Sequence, residues 1–146
     1  MADDAFLLAG ETTVIEDIEA ANSLEMGALA EFDASGDVIA HATEGAPAMP
    51  AFVAPQSVTG LTLEDSYSPG DHVRLEIPAR GSRVQVRVAA GETLDPGVAL
   101  VSEGSGALTA YDAASHDGGG VIAFATEAGI DTSGETWATL QAVIIA

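Results

Sequence analysis

The residues best suited to proton transfer near neutral pH are His41, His72 and His116. None of them falls into a motif that carries a reaction. Nucleophilic catalysis needs a serine or threonine held by a base. The serine-rich stretch Val101-Ser-Glu-Gly-Ser-Gly106 does not sit between a strand and a helix, as a nucleophile elbow must. A zinc site asks for histidine or cysteine pairs at short spacing; these histidines are isolated and there is no cysteine. Asp112 and His116-Asp117 could contribute to a loop site for a hard cation, but Tyr111–Gly120 lacks oxygen ligands at alternate positions, and reads as a solvated acidic loop. Two carboxylates could serve a glycosidase, yet with 23 acidic residues no pair stands out. Few rings are available to stack on a sugar: Trp137, Tyr67, Tyr111 and four phenylalanines. Gly118-Gly-Gly120 has neither a following helix nor a basic residue, so it is not a phosphate loop. The expectation is a protein that is not an enzyme, with no catalytic residue, no metal and no cofactor.

Arginine is the one concentrated oddity. Arg74, Arg80, Arg83 and Arg87 are the only cations of the chain. On a strand, Arg83 and Arg87 point to one face. Two readings stand: local charge balance on a sheet, or contact with an acidic partner surface through bidentate carboxylate binding by Arg80, Arg83 and Arg87.

The remaining charge is acidic, with a formal net of -19 and no lysine at all. An apolar fraction of 47% says that the chain nonetheless folds. Such repulsion destabilises a compact state in dilute buffer. At about 1 M salt the screening length shrinks to about 3 Å. A halophilic origin is therefore expected. Four arginines are too few for a nucleic-acid footprint, and the charge opposes an anionic membrane. No apolar run approaches the roughly 20 residues of a membrane-spanning helix. Met1-Ala-Asp-Asp lacks a basic leader region, so synthesis in the cytoplasm is expected.

Strand signals dominate the elements. Val84-Gln-Val-Arg-Val88 alternates at period two, as does His72–Ile77 up to Pro78. Thr136–Ile145 reads as a long closing strand. Val38-Ile39, Phe52-Val53 and Val121–Phe124 are short β-rich segments between glycine and serine turns. Glu16–Met26 is the main helix candidate, with poor apolar spacing. The chain also compares well with itself. Sliding it by 70 positions lays Val14–His41 on Val84–Tyr111 without a gap. Leu24-Glu-Met-Gly27 then meets Leu94-Asp-Pro-Gly97, and Ser35-Gly36 meets Ser105-Gly106. After a slip of two, Ala51-Phe52 meets Ala123-Phe124. Each unit predicts a strand, a Leu-x-x-Gly turn, a strand, a Ser-Gly hairpin and three further strands. Val14–Ala21 is thereby read as strand, not helix. Residues 1–12 are read as an N-terminal arm, 13–78 as a first β unit and 79–146 as a second, packed together as one body.

Gly91-Glu-Thr-Leu-Asp-Pro-Gly-Val-Ala-Leu-Val-Ser102, Ser105–Asp112 and Val121-Ile-Ala-Phe-Ala-Thr-Glu127 resemble the head decoration proteins of tailed viruses, of the lambda type, and related capsid-stabilising or capsid-fibre proteins. Ala123-Phe124 stands where that family usually has Gly-Ile, and the unit is doubled. The repeat and the resemblance together lead to the expectation of an all-β fold: two tandem units from the repeat, each a small β-barrel or β-tulip as the resemblance implies. The resemblance also implies a homotrimer on the outer surface of a capsid, bound to the major capsid protein, and a flexible arm that orders on the shell. The contact residues would then include Ala2, Asp3, Asp4, Phe6, Leu7 and Leu8. With the salt signature, a haloarchaeal virus is the expected context. The role implied is a decoration or cement protein; a turret, spike or fibre base used in host attachment is the alternative. A lipoyl-type carrier, which has a similar Leu-x-x-Gly rhythm, is excluded by the missing acceptor lysine.

Overall fold

A computed structural model describes residues 5–116 and 118–146. Its first strand, β1 (Leu7–Ala9), precedes two series of seven. The first series is β2 (Thr12–Glu19), β3 (Leu24–Glu25), β4 (Ala30–Phe32), β5 (Val38–Ala40), β6 (Phe52–Ala54), β7 (Ser66–Tyr67) and β8 (His72–Pro78). The second is β9 (Arg83–Val88), β10 (Thr93–Leu94), β11 (Ala99–Ser102), β12 (Leu108–Ala110), β13 (Val121–Ala125), β14 (Ile130–Asp131) and β15 (Thr139–Ile145). The helix candidate Glu16–Met26 is instead the end of β2, a turn and β3. Trp137 lies in the bend before β15, which starts at Thr139, three residues later than its sequence pattern.

The two series share one pairing plan. The long outer strands pair antiparallel, β2 with β8 and β9 with β15. β3 pairs with β7 as β10 does with β14, β4 with β5 as β11 with β12, and β6 with β8 as β13 with β15. Backbone hydrogen bonds recur at the same offset of 70. His41 N–H donates to Leu29 O at 2.9 Å, and Tyr111 N–H to Ala99 O at 2.8 Å. Asp33 N–H donates to Asp37 O at 2.8 Å, and Glu103 N–H to Ala107 O at 2.9 Å. The Leu-x-x-Gly turns match in backbone too: Gly27 and Gly97 both stand at φ 82°, where a side chain is strained.

In the second half, β9, β12, β11, β13 and β15 close into a five-strand barrel through the β9–β15 pairing. In the first half the same circuit is completed by two isolated bridges, Ala20 to Val38 and Leu29 to Phe52. One apolar cluster runs through both, from Leu24, Leu29, Phe52 and Leu75 to Val84, Val86, Leu100 and Leu108. Burial of that many large side chains, each contributing about 1.5–3 kcal/mol, makes the halves one body.

The chain start differs from an arm among its described residues. Phe6 is 3% exposed, and its ring lies 5.8 Å from that of Phe52. Leu7 and Ala9 pair antiparallel with Val84 and Arg83. The physical reason is local: Phe6-Leu-Leu8 is apolar, and the edge of β9 supplies backbone partners, so burial outweighs the entropy of a free segment. Ala2, Asp3 and Asp4 lie outside the described residues.

Candidate functional site

The four arginines do not form one patch. Arg87 projects from β9 into the seam between the halves and is mostly buried, its side chain 17% exposed. Its Nε donates to Met26 O at 2.8 Å, and its terminal nitrogens to Ala138 O and Leu63 O, both at 3.3 Å. Glu25 stands 3.8 Å away. Arg87 is therefore a strut that ties first-half carbonyls to a second-half strand. Arg83 forms a two-pronged ion pair with Glu127, at 2.7 and 2.8 Å, on the open surface. That arginine holds the Glu127 carboxyl below its ordinary range. Arg74 is shared between Glu76 at 3.2 Å and Glu16 at 3.3 Å. Arg80 is exposed in the turn after β8 and has no ion pair among the described residues. Of the expected arm contacts, Phe6 is in the core, and Leu7 and Leu8 are half-buried on the β9 edge.

Two of the three histidines, His41 and His116, are placed by the seam as well. His41 follows β5 and is buried; its Nδ1 lies 2.7 Å from Ser102 Oγ, and its Nε2 lies 3.5 Å from Glu31 Oε2. Acid, imidazole and hydroxyl thus line up, in outline like a hydrolase relay. The hydroxyl is fully buried, however, and it also accepts the Gly104 N–H at 3.1 Å. A substrate cannot reach it, so the row satisfies buried polar atoms where the halves meet. No spacing motif could have revealed it, because the two residues stand 61 positions apart.

His116 Nδ1 accepts the Asp112 N–H at 2.9 Å. Its Nε2 then carries the proton and faces Glu44 Oε2 at 2.8 Å, another link between the halves. Asp112 is held below the ordinary carboxylate range, first by the Ala114 N–H and then by the Ser115 hydroxyl. Asp131 is lowered in the same way by Ser133. His72 faces Asp17 at 3.8 Å in the open. Among the described residues no group of three or more histidines and carboxylates could hold a metal ion.

A groove of about 440 Å³ crosses the seam. Leu24, Ala28 and Ala40 line it from the first half, Arg87, Ser105 and Trp137 from the second. Trp137 is 77% exposed there. An indole left in water beside a groove is suited to contact with another molecule. Trp137 is one of few rings in the sequence, but its exposure is not legible there, because the strand pattern runs from Thr136 while the strand itself starts at Thr139.

No protein family matches the chain, and no curated protein matches it in sequence. Solved structures do. The fold is similar to that of the head fiber gp8.5 N base in bacteriophage phi29. The TM-score is 0.59, over 93% of this chain and 95% of that one, at 15% identity. The likeness spans both halves, so it concerns the doubled arrangement as a whole and not one barrel.

Proposed function

We propose that the chain is a structural protein of a virion surface, seated on the outside of a capsid shell. The observation that carries this reading is the fold likeness over nearly the whole of both chains to a phage head fiber base. The seam supports it: His41, His116 and Ser102, which could do chemistry, are spent on holding the halves together. In this reading the body acts by adding apolar and strand-edge contact across capsomers, as a decoration protein or as the base that seats a fibre. A homotrimer and a haloarchaeal virus remain part of the proposal, the second resting on the charge of -19 and the absence of lysine. The test is co-sedimentation of the purified chain with empty capsids in molar salt, with particle stability measured with and without it. Binding that raises the temperature of capsid disruption is expected; a chain that stays in the supernatant would end the proposal. Melting in rising salt tests the host: a melting temperature unchanged between dilute buffer and molar salt would remove the halophilic origin.

Host attachment is the second reading, favoured by the exposed Trp137 at its groove. Quenching of indole fluorescence by host-surface glycans, lost in Trp137→Ala, would support it.

A further inference from the structure

The shared pairing plan exposes one place where the halves are not finished alike. In the second half the outer edge of β9 is occupied. Gln85 N–H donates to Phe6 O and Arg87 N–H to Gly27 O, both at 2.9 Å, and β1 pairs alongside. The equivalent edge belongs to β2. Ala79 N–H donates to Glu11 O at 2.8 Å, and the residue opposite Thr12 is Pro78, which has no N–H. In an antiparallel ladder the bonded positions alternate. Glu11, Thr13 and Ile15 therefore turn their backbone groups to the body, while Thr12 and Val14 turn theirs outward. Among the described residues nothing pairs with that outer edge, and the Val14 side chain is 36% exposed beside it.

Edges of this kind are normally blunted by charge or by a bulge. Here both devices come late. The bulge lies between Ile15 and Ile18, with Asp17 at φ 64°, and the carboxylates are Glu16, Asp17 and Glu19. Thr12–Ile15 is left flat and uncharged. Next to it a depression of about 260 Å³ is lined by Glu11, Thr12, Thr13, Ile77, Pro78 and Ala79.

We infer that the Thr12–Ile15 edge of β2 is a docking site for an extended segment of another protein, one that carries apolar residues at alternate positions and a basic end. The mode is strand addition, in which backbone bonds give affinity and side-chain sites give selectivity. The chain itself supplies the precedent: Phe6–Ala9, extended and apolar, fills the matching edge of β9. The depression at Ile77–Pro78 takes one apolar side chain of the incoming strand. Charge selects the rest. Glu16 and Asp17 already face Arg74 and His72, but Glu11 and Glu19 have no ion pair among the described residues and flank the open stretch, so a basic segment is matched and an acidic one repelled. A segment of the shell protein is the occupant this assigns, and in that respect the inference rests on the reading above.

The test separates the two. Isotope-labelled protein is titrated with a short synthetic peptide that alternates valine and threonine and ends in two lysines, and followed by amide chemical shifts. Saturable shifts confined to Thr12–Ile15 and Ile77–Ala79 are expected, with affinity reduced about tenfold in Val14→Pro, which removes an outward N–H and leaves the β8 ladder intact. A peptide ending in two glutamates should bind more weakly. Folding of the variant is checked by its unchanged shifts elsewhere; if Val14→Pro unfolds, Val14→Lys, which sets a like charge against the basic peptide on the same edge, serves in its place. Shifts elsewhere, none at all, or full affinity in both variants would overturn the inference. Wild-type protein that fails to sediment with capsids yet binds the peptide would instead overturn the shell reading alone.

Discussion

β2 and β9 hold the same place in two copies of one pairing plan, yet they live in different surroundings. β9 buries Val84, Val86 and Val88 completely and is covered on both sides, by β15 and by β1 with the Gly27 turn. β2 has β8 on one side, a bulge in its middle and exposed residues along most of its length. One backbone plan thus produces a central strand in one half and a rim strand in the other. What decides is which neighbours the rest of the chain brings up, because β preference measures packing more than any intrinsic backbone taste.

That contrast can be broken most forcefully at Phe6, whose ring anchors the segment that covers β9. Phe6→Ala is expected to destabilise by about 3–5 kcal/mol, whereas Val14→Ala on β2 should stay within about 0.5 kcal/mol. Urea unfolding of both variants checks the pair, and similar losses would make the two strands equivalent after all. The matched turns give the next comparison. Gly97 has open space around a built side chain, so Gly97→Ala should lose only about 1–2 kcal/mol for its left-handed backbone. At Gly27 the added carbon would come within 2.5 Å of a Leu140 methyl and 3.3 Å of Gln85 O. Gly27→Ala should therefore be clearly the worse of the two in thermal melts.

Arg87 sharpens the contrast further. It bonds three carbonyls, those of Met26 and Leu63 across the seam and that of Ala138 in its own half, while Glu16 on β2 meets Arg74 alone among the described residues. Arg87→Met, which keeps most of the apolar stem, should cost about 1–3 kcal/mol of stability. Earlier exchange of the Met26–Leu29 amides would localise the loss to the seam; an unchanged unfolding midpoint would show the strut to be idle.

The smallest effect is in pH, and it divides the halves. Asp112, Glu127 and Asp131, all in the second half, are held below their ordinary values of 3.8 to 4.5. Their contribution is present above those values and is lost as pH falls through the lowered ones. Tyr67, in the first half, is raised above 10.0 by burial and donates to Ala54 O at 2.7 Å. Its contribution is present below 10.0 and is lost as pH rises through the raised value. Residue-resolved spectra should therefore loosen the second-half loops first in acid and the Tyr67 region first in alkali.

Much of this was legible in the residues. The strands with period-two patterns, such as Val84–Val88, lie where they were expected, and the offset of 70 led to the strand at Val14, where local spacing hinted at a helix. The two-residue pairings β3–β7 and β10–β14 were not visible, since two residues carry no period. The place of Phe6 was missed for another reason: its partner Phe52 is far along the chain, and an apolar triplet ahead of the first pattern reads the same whether free or docked. The Arg87 strut and the His41–Ser102 contact depend on the angle between the halves, which no pattern along the sequence encodes.

The docking of Phe6 also has a mechanical side. Its ring sits on Phe52 in the first half, while the backbone that follows it is bonded to β9 in the second. A load applied at Ala5 would be shared at once by both halves and could not peel one strand away by itself. Such an anchorage spreads tension through the whole body instead of concentrating it at a hinge.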